Sequence, residues 1–212
     1  MFLDHPRGFR DPALVSAREQ LLLTEPRAQS LRGWAEDLED RRGVHVPQFD
    51  PAEAGEEARV LFVFEAPGPM TNAGNKRPGS GFISVDNNDA TAANMWNARN
   101  EAGLHDGALV WNIVPWYLGA ASRKPTKDEM KNGASELVDL ISHLPFLEIV
   151  VLGGLYAQRG WRRYIGSTSF GGPEVVDMWH PSPLSLNQPG RRQEFTEIVR
   201  EIAAARGTIT SE

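Results

Sequence analysis

Four short apolar runs constrain this chain more than any other feature. They are residues 59–64 (RVLFVF), 108–114 (ALVWNIV), 147–152 (LEIVVL) and 174–178 (EVVDM). Each runs straight into a breaker: Glu65-Ala-Pro-Gly, Pro115, Gly153-Gly154 and Trp179-His180-Pro181. Short runs with little polar alternation, bounded by turn residues, read as strands covered on both faces. Helical patterns separate them. Residues 92–102 follow Asp89 or Thr91 as cap, and Gly103 ends that stretch. Thr126-Lys-Asp-Glu129 is a capping box opening a helix with Ala134, Leu137, Val138, Ile141 and Leu144 on one face. A further helix runs through Tyr164, and a last one covers residues 191–205. Strand–helix alternation predicts an α/β fold: three α/β/α layers around a central four-stranded, mostly parallel sheet. Right-handed crossovers then place every strand's C-terminal end along one edge. Glu65, Asn112 and His180 stand at or just past strand ends, so all three are expected to face one crevice there.

The first 57 residues read as a helical extension packed on a single domain spanning residues 1–212. Residues 12–23 carry Leu14, Ala17 and Leu21 at helical spacing, and residues 26–42 carry Leu31, Trp34 and Leu38; residues 43–58 read as loop. The stretch 69–89, rich in Gly, Asn and Ser, is long enough for a loop to suggest function. The chain has no cysteine, which excludes disulfides, thiolate metal sites and ordinary iron–sulfur clusters, and fits a reducing cytoplasm. No metal or other cofactor is expected. No apolar run approaches the roughly 18 residues of a membrane span, and the N-terminus lacks a signal peptide's apolar core. The net charge of −6 argues against non-specific coating of nucleic acid, though it leaves room for a local basic patch.

Taken singly, the polar residues at the strand ends admit ordinary structural roles. His180 is either a loop histidine packed beside Trp179 or an imidazole held by prolines to donate to a developing anion. Asn112 either satisfies backbone groups or offers an amide for reading a base edge. Glu65 is either a structural carboxylate or a group that orients water. Phe82, in GSGFIS, is either core or a stacking platform. Three basic pairs sit in loops or at a loop–helix junction on the expected active edge: Lys76 with Arg77, Arg123 with Lys124, and Arg191 with Arg192. Each is either a solvated charge or a phosphate contact.

Together, FEAPGP, Phe82, Asn112 and HPSPLS resemble, in order and in strand context, the uracil-DNA glycosylase superfamily. HPSPLS is the most specific piece, and the resemblance spans roughly residues 59–200. It implies that Asn112 binds the Watson–Crick edge of a flipped-out uracil, that Phe82 stacks on the base, and that His180 stabilises negative charge at uracil O2. It also implies that Leu184 enters the minor groove, that Ser182, Pro183 and Ser185 grip phosphates, and that Glu65, Ala66 and Gly68 shape the water- and base-binding side. The implied partner is uracil-containing DNA, single- or double-stranded, and the implied state is a monomer.

Three residues depart from the pattern. Ala66 stands where members that position water strongly have aspartate. Phe64 replaces the leading glycine of the GEAPG form, whose bearers usually hold a cluster through four cysteines. Gly68 stands where some branches place tyrosine. These departures leave two other readings open: a DNA-binding or damage-sensing homologue with little catalysis, and a glycosylase for hypoxanthine or xanthine. Unrelated α/β-hydrolase chemistry is disfavoured because no nucleophile elbow appears.

Overall fold

A computed structural model describes residues 3–74, 78–119, 123–166 and 172–209, with side chains to residue 206. Six strands form in chain order: β1 (Gln48–Phe49), β2 (Val60–Phe64), β3 (Phe82–Ile83), β4 (Ala108–Asn112), β5 (Ile149–Gly153) and β6 (Glu174–Met178). The helices are α1 (Pro12–Thr24), α2 (Gln29–Arg42), α3 (Ala90–Ala102), α4 (Lys127–Ser142), α5 (Leu155–Tyr164), α6 (Pro183–Leu186) and α7 (Arg191–Ile209).

The main sheet has the order β4-β2-β5-β6, with every neighbouring pair parallel. Strands β2 and β5, which are central, and β4, at one edge, are buried along their whole length, as their unbroken apolar runs require. Strand β6 is an edge and is exposed along most of its length. A second, two-stranded parallel sheet joins β1 to β3.

Helices cover both faces. Alternation along β4 turns Trp111 one way and Val110 and Asn112 the other. On the Trp111 side, the indole stacks on Phe49 at 3.7 Å and meets Trp34 of α2 edge-on at 5.9 Å. Trp34 Nε1–H also donates to Asp139 of α4 at 2.7 Å, joining the two helices. On the Val110 side, the Val110 N–H donates to Glu53 at 2.6 Å, and Glu53 pairs with Arg99 of α3 at 2.5 Å. Neither Glu53 nor Arg99 has side-chain area exposed. Burial pushes the Glu53 carboxyl up to about 7, against the pull of Arg99.

Local chemistry fixes the helix starts. Asp11 accepts from Ala13 N–H ahead of α1, Asp89 accepts from Thr91 and Ala92 N–H ahead of α3, and both arms of the Thr126–Glu129 box are made. Several expectations shift. Residues 26–28 form a separate turn of 3₁₀ helix, so α2 starts at Gln29. Val138 is half exposed rather than in the core. Strand β4 ends at Asn112, although Ile113 and Val114 N–H still donate to Phe64 and Glu65 carbonyls. The tail of HPSPLS winds into the four-residue α6.

Candidate functional site

The register sets the site. Phe64 pairs with Asn112 and Gly153 with Met178, so these residues form a row across the C-terminal edge of the sheet. His180 follows two residues after Met178. Beside this row lies a cavity of about 300 Å³, walled by residues 66–71 after β2, by Ile83 of β3 with Ser84, Val85, Asn87 and Asp89 after it, and by Asn112, His180 and Pro181. A crevice at the carboxyl ends of parallel strands is where such folds bind ligands.

His180 sits there because β5 ends in two glycines. A Cβ on Gly153 would lie 2.2 Å from the Phe64 ring, and one on Gly154 would lie 2.8 Å from His180 Cβ. Gly154 also adopts φ 89°, a left-handed backbone open chiefly to glycine. With no side chain at either position, the imidazole packs edge-on to Phe64 at 5.5 Å. The Ser182 N–H donates to His180 Nδ1 at 3.1 Å. Burial, assisted by the Lys124 charge, pushes the imidazole pKa down to about 4. The ring is therefore neutral at physiological pH. Because Nδ1 accepts a hydrogen bond, the single proton resides on Nε2. Among the described residues no protein group accepts from Nε2.

Asn112 is only 4% exposed, and its side-chain amide has no protein hydrogen bond among the described residues. The residue lines the cavity. Ala66 and Gly68 also line the cavity, and a Cβ on Gly68 would meet nothing within 4 Å.

Two expected members lie elsewhere. Phe82 does not reach the cavity. Its ring is buried in a separate cluster with Phe9, Leu22 and Ala28, 6.2 Å from Phe9. Strand alternation explains the correction: β3 turns Ile83 toward the cavity and its neighbour away. The aromatic ring that lines the cavity beside His180 is Phe64. Glu65 is absent from the lining too. Both its oxygens accept from Lys124 Nζ, at 2.9 and 3.1 Å, and that ammonium also lies 4.9 Å from the Tyr156 ring centre. Among the described residues the carboxylate that lines the cavity is Asp89, which the sequence marks as a cap for α3. One of its oxygens accepts from two backbone N–H groups, and the other has no partner among the described residues. Burial raises its pKa above the ordinary aspartate value.

The outer rim carries the remaining expected residues. Leu184, on α6, is 85% exposed, between the partly exposed Pro183 and Ser185. Ser182 spends its N–H on His180 and its carbonyl on the Ser185 and Leu186 N–H groups. Arg191 stacks over Trp179, 4.0 Å from the ring centre, and Arg192 donates to Asn94 at 3.2 Å. Asn94 in turn donates to the Pro181 carbonyl at 2.8 Å, tying the HPSPLS loop to α3. Arg123 is clamped by Glu129. Lys76 and Arg77 lie outside the described residues. Among the described residues no group of three His, Asp or Glu could hold a metal, and no helix is long and apolar enough to cross a membrane. With no cysteine in the chain, a thiolate-held iron–sulfur cluster does not fit it.

The family model described as the Uracil DNA glycosylase superfamily matches residues 51–203. No curated protein matches the chain.

Proposed function

Because the chain belongs to the uracil-DNA glycosylase superfamily, a family of DNA glycosylases, we propose that it hydrolyses the N-glycosidic bond of uracil flipped out of DNA. The observation that carries this reading is the pairing, in one cavity, of a neutral imidazole whose proton is on Nε2 with an unsatisfied asparagine amide. Base flipping costs a few kcal/mol, least for a mismatched or single-stranded base. The Asn112 amide accepts from uracil N3–H and donates to O4. Cytosine presents the opposite pattern of donor and acceptor, so selection of uracil requires the amide to be kept in this orientation when the base is bound. As the C1′–N1 bond breaks, its electron pair moves onto the base, and His180 Nε2–H donates to the charge growing at O2. A fixed donor of this kind in a dry site contributes about 3–4 kcal/mol. Water then adds to the cationic C1′, giving up its proton. Asp89 is the carboxylate placed to orient that water, a role Ala66 cannot fill and Glu65 is held away from.

The rim suits DNA. Leu184 stands out far enough to fill the gap in the base stack, and Ser182, Pro183 and Ser185 offer small groups to the adjoining phosphates. Arg191 and Arg192 supply positive charge there.

Gly68 favours a second reading. The open space before it accommodates a base larger than uracil, such as hypoxanthine or xanthine. One experiment separates these readings: single-turnover cleavage of oligonucleotides carrying uracil, hypoxanthine, xanthine or thymine, wild type beside His180→Ala. Abasic product from uracil that depends on His180 supports the proposal. Product confined to the purine lesions transfers the site to them. Retention of the DNA with no product from any lesion marks a binder and overturns the enzymatic reading.

A further inference from the structure

One cavity wall is the segment 80–89, to which Ile83, Ser84, Val85, Asn87 and Asp89 contribute. It is held from behind by charges that have no part in the chemistry above. The Ser84 hydroxyl donates to the Asp50 carboxylate, and the Asp86 N–H donates to Ser84 Oγ at 3.0 Å. Arg18, from the middle of α1, spans the two acids: Nη1 donates to Asp50 and Nη2 to Asp86 at 2.9 Å. The Arg18 side chain is 5% exposed and both carboxylates are fully buried. Around this triad the N-terminal segment closes on the wall. The Phe9 N–H donates to the Asp86 carbonyl at 3.0 Å, the Phe9 ring packs on Phe82, and the guanidinium carbon lies 5.1 Å from the Phe9 ring centre.

A buried guanidinium between two carboxylates is weak evidence of stabilisation, since well-packed apolar side chains at such sites do as well. What it provides is geometry. The planar fork fixes two acids, one just after β1 and one in the wall, at set distances from α1. Neither Arg18 nor Asp50 falls within the residues that match the family model. We propose that Arg18 is a positioning residue for the base-binding cavity: from the N-terminal helix, through Asp50 and Asp86, it holds the wall that carries Ser84 and Asp89. The proposal rests on the glycosylase reading for its effect on rate, but not for its effect on the wall.

The test uses the full chain with Arg18→Met, Arg18→Lys and the double variant Arg18→Met/Asp86→Asn. Two readouts are taken: amide hydrogen exchange on the free protein, and single-turnover cleavage of uracil DNA. Arg18→Met leaves two buried acids facing each other. Exchange in residues 80–89 should rise at least tenfold while β2, β4 and β5 keep wild-type protection, and cleavage should fall at least tenfold. Removing one acid in the double variant should restore most of both losses. If Arg18→Met does not fold, Arg18→Lys is read the same way, because it keeps the charge but cannot span both acids. Unchanged wall exchange overturns the proposal. So does a uniform rise across the sheet, which would make Arg18 a general stabiliser, or a double variant no better than the single. Should the wild type cleave no lesion, the glycosylase reading falls, and the exchange arm still decides whether Arg18 holds the wall.

Discussion

Replacing His180 with alanine removes one Nε2–H donor, and the structure bounds the effect. A single preorganised donor to a developing anion is worth about 3–4 kcal/mol, so cleavage at saturating enzyme should fall roughly 10²- to 10³-fold. DNA affinity should change less than the rate, because the ring is recessed in the cavity and the rim keeps its side chains, although the Ser182 N–H loses its acceptor. The assay is single-turnover product formation on a uracil oligonucleotide from pH 5.5 to 8. With its pKa pushed down to about 4 by burial, the imidazole is neutral throughout this range. The ratio of wild-type to variant rate should therefore be flat. A loss smaller than tenfold, or a wild-type advantage that fades as pH rises through 6.5, would refute the neutral-donor argument. Stability gives an independent check. A histidine depressed from 6.5 to about 4 binds fewer protons folded than unfolded, so its burial favours folding above pH 6.5 and loses that contribution as pH falls toward 4. The full swing is about 3 kcal/mol. Between pH 7 and 4.5 the wild type should lose more melting temperature than His180→Ala.

Asn112→Ala deletes two hydrogen bonds to the base at roughly 1 kcal/mol each or more, so uracil cleavage should drop about 30-fold or further; an unaltered rate and base preference would mean that another residue reads the edge. Asp89→Asn keeps a good helix cap, so thermal melts should show a change within about 0.5 kcal/mol, while single-turnover cleavage falls; an unchanged rate removes Asp89 from the water-orienting role. Gly154→Ala forces a side chain into the left-handed region and against His180, at about 1–3 kcal/mol in melts, and should slow cleavage, whereas Gly68→Ala, with open space before it, should fold normally. Glu53, raised from 4.5 to about 7, binds more protons folded than unfolded, so its contribution to stability declines as pH rises from 4.5 through 7. Melting curves at pH 5 and 8 should show a larger decline for wild type than for Glu53→Gln; equal declines would mean the carboxyl is not perturbed.

The four strands of the main sheet, their parallel direction and the convergence of Asn112 with His180 were legible, because apolar runs and right-handed crossovers leave few other arrangements, whereas the two-residue strands β1 and β3 lie in stretches that read as loop. The Thr126 box was legible because capping is local. Phe82 was not. Its direction depends on how a two-residue strand pairs with Gln48–Phe49, and so short a strand has no hydrophobic period to reveal its face. Glu65 was misplaced for a different reason: its partner Lys124 lies 59 residues away, and no local pattern announces an ion pair of that span. The triad of Arg18, Asp50 and Asp86 is hidden in the same way, with sequence separations of 32 and 68. Asp89 was visible as a cap, but its second oxygen became relevant only once the cavity beside it was known.

The Ser182 amide bound to His180 has a consequence for where protons travel. An imidazole with one nitrogen occupied by the main chain cannot pass a proton through the ring from one side to the other. On the glycosylase reading proposed above, the base would then depart as an anion, because no proton reaches it through the ring. The loop that follows the edge strand thus holds its imidazole as a fixed donor and not as a relay.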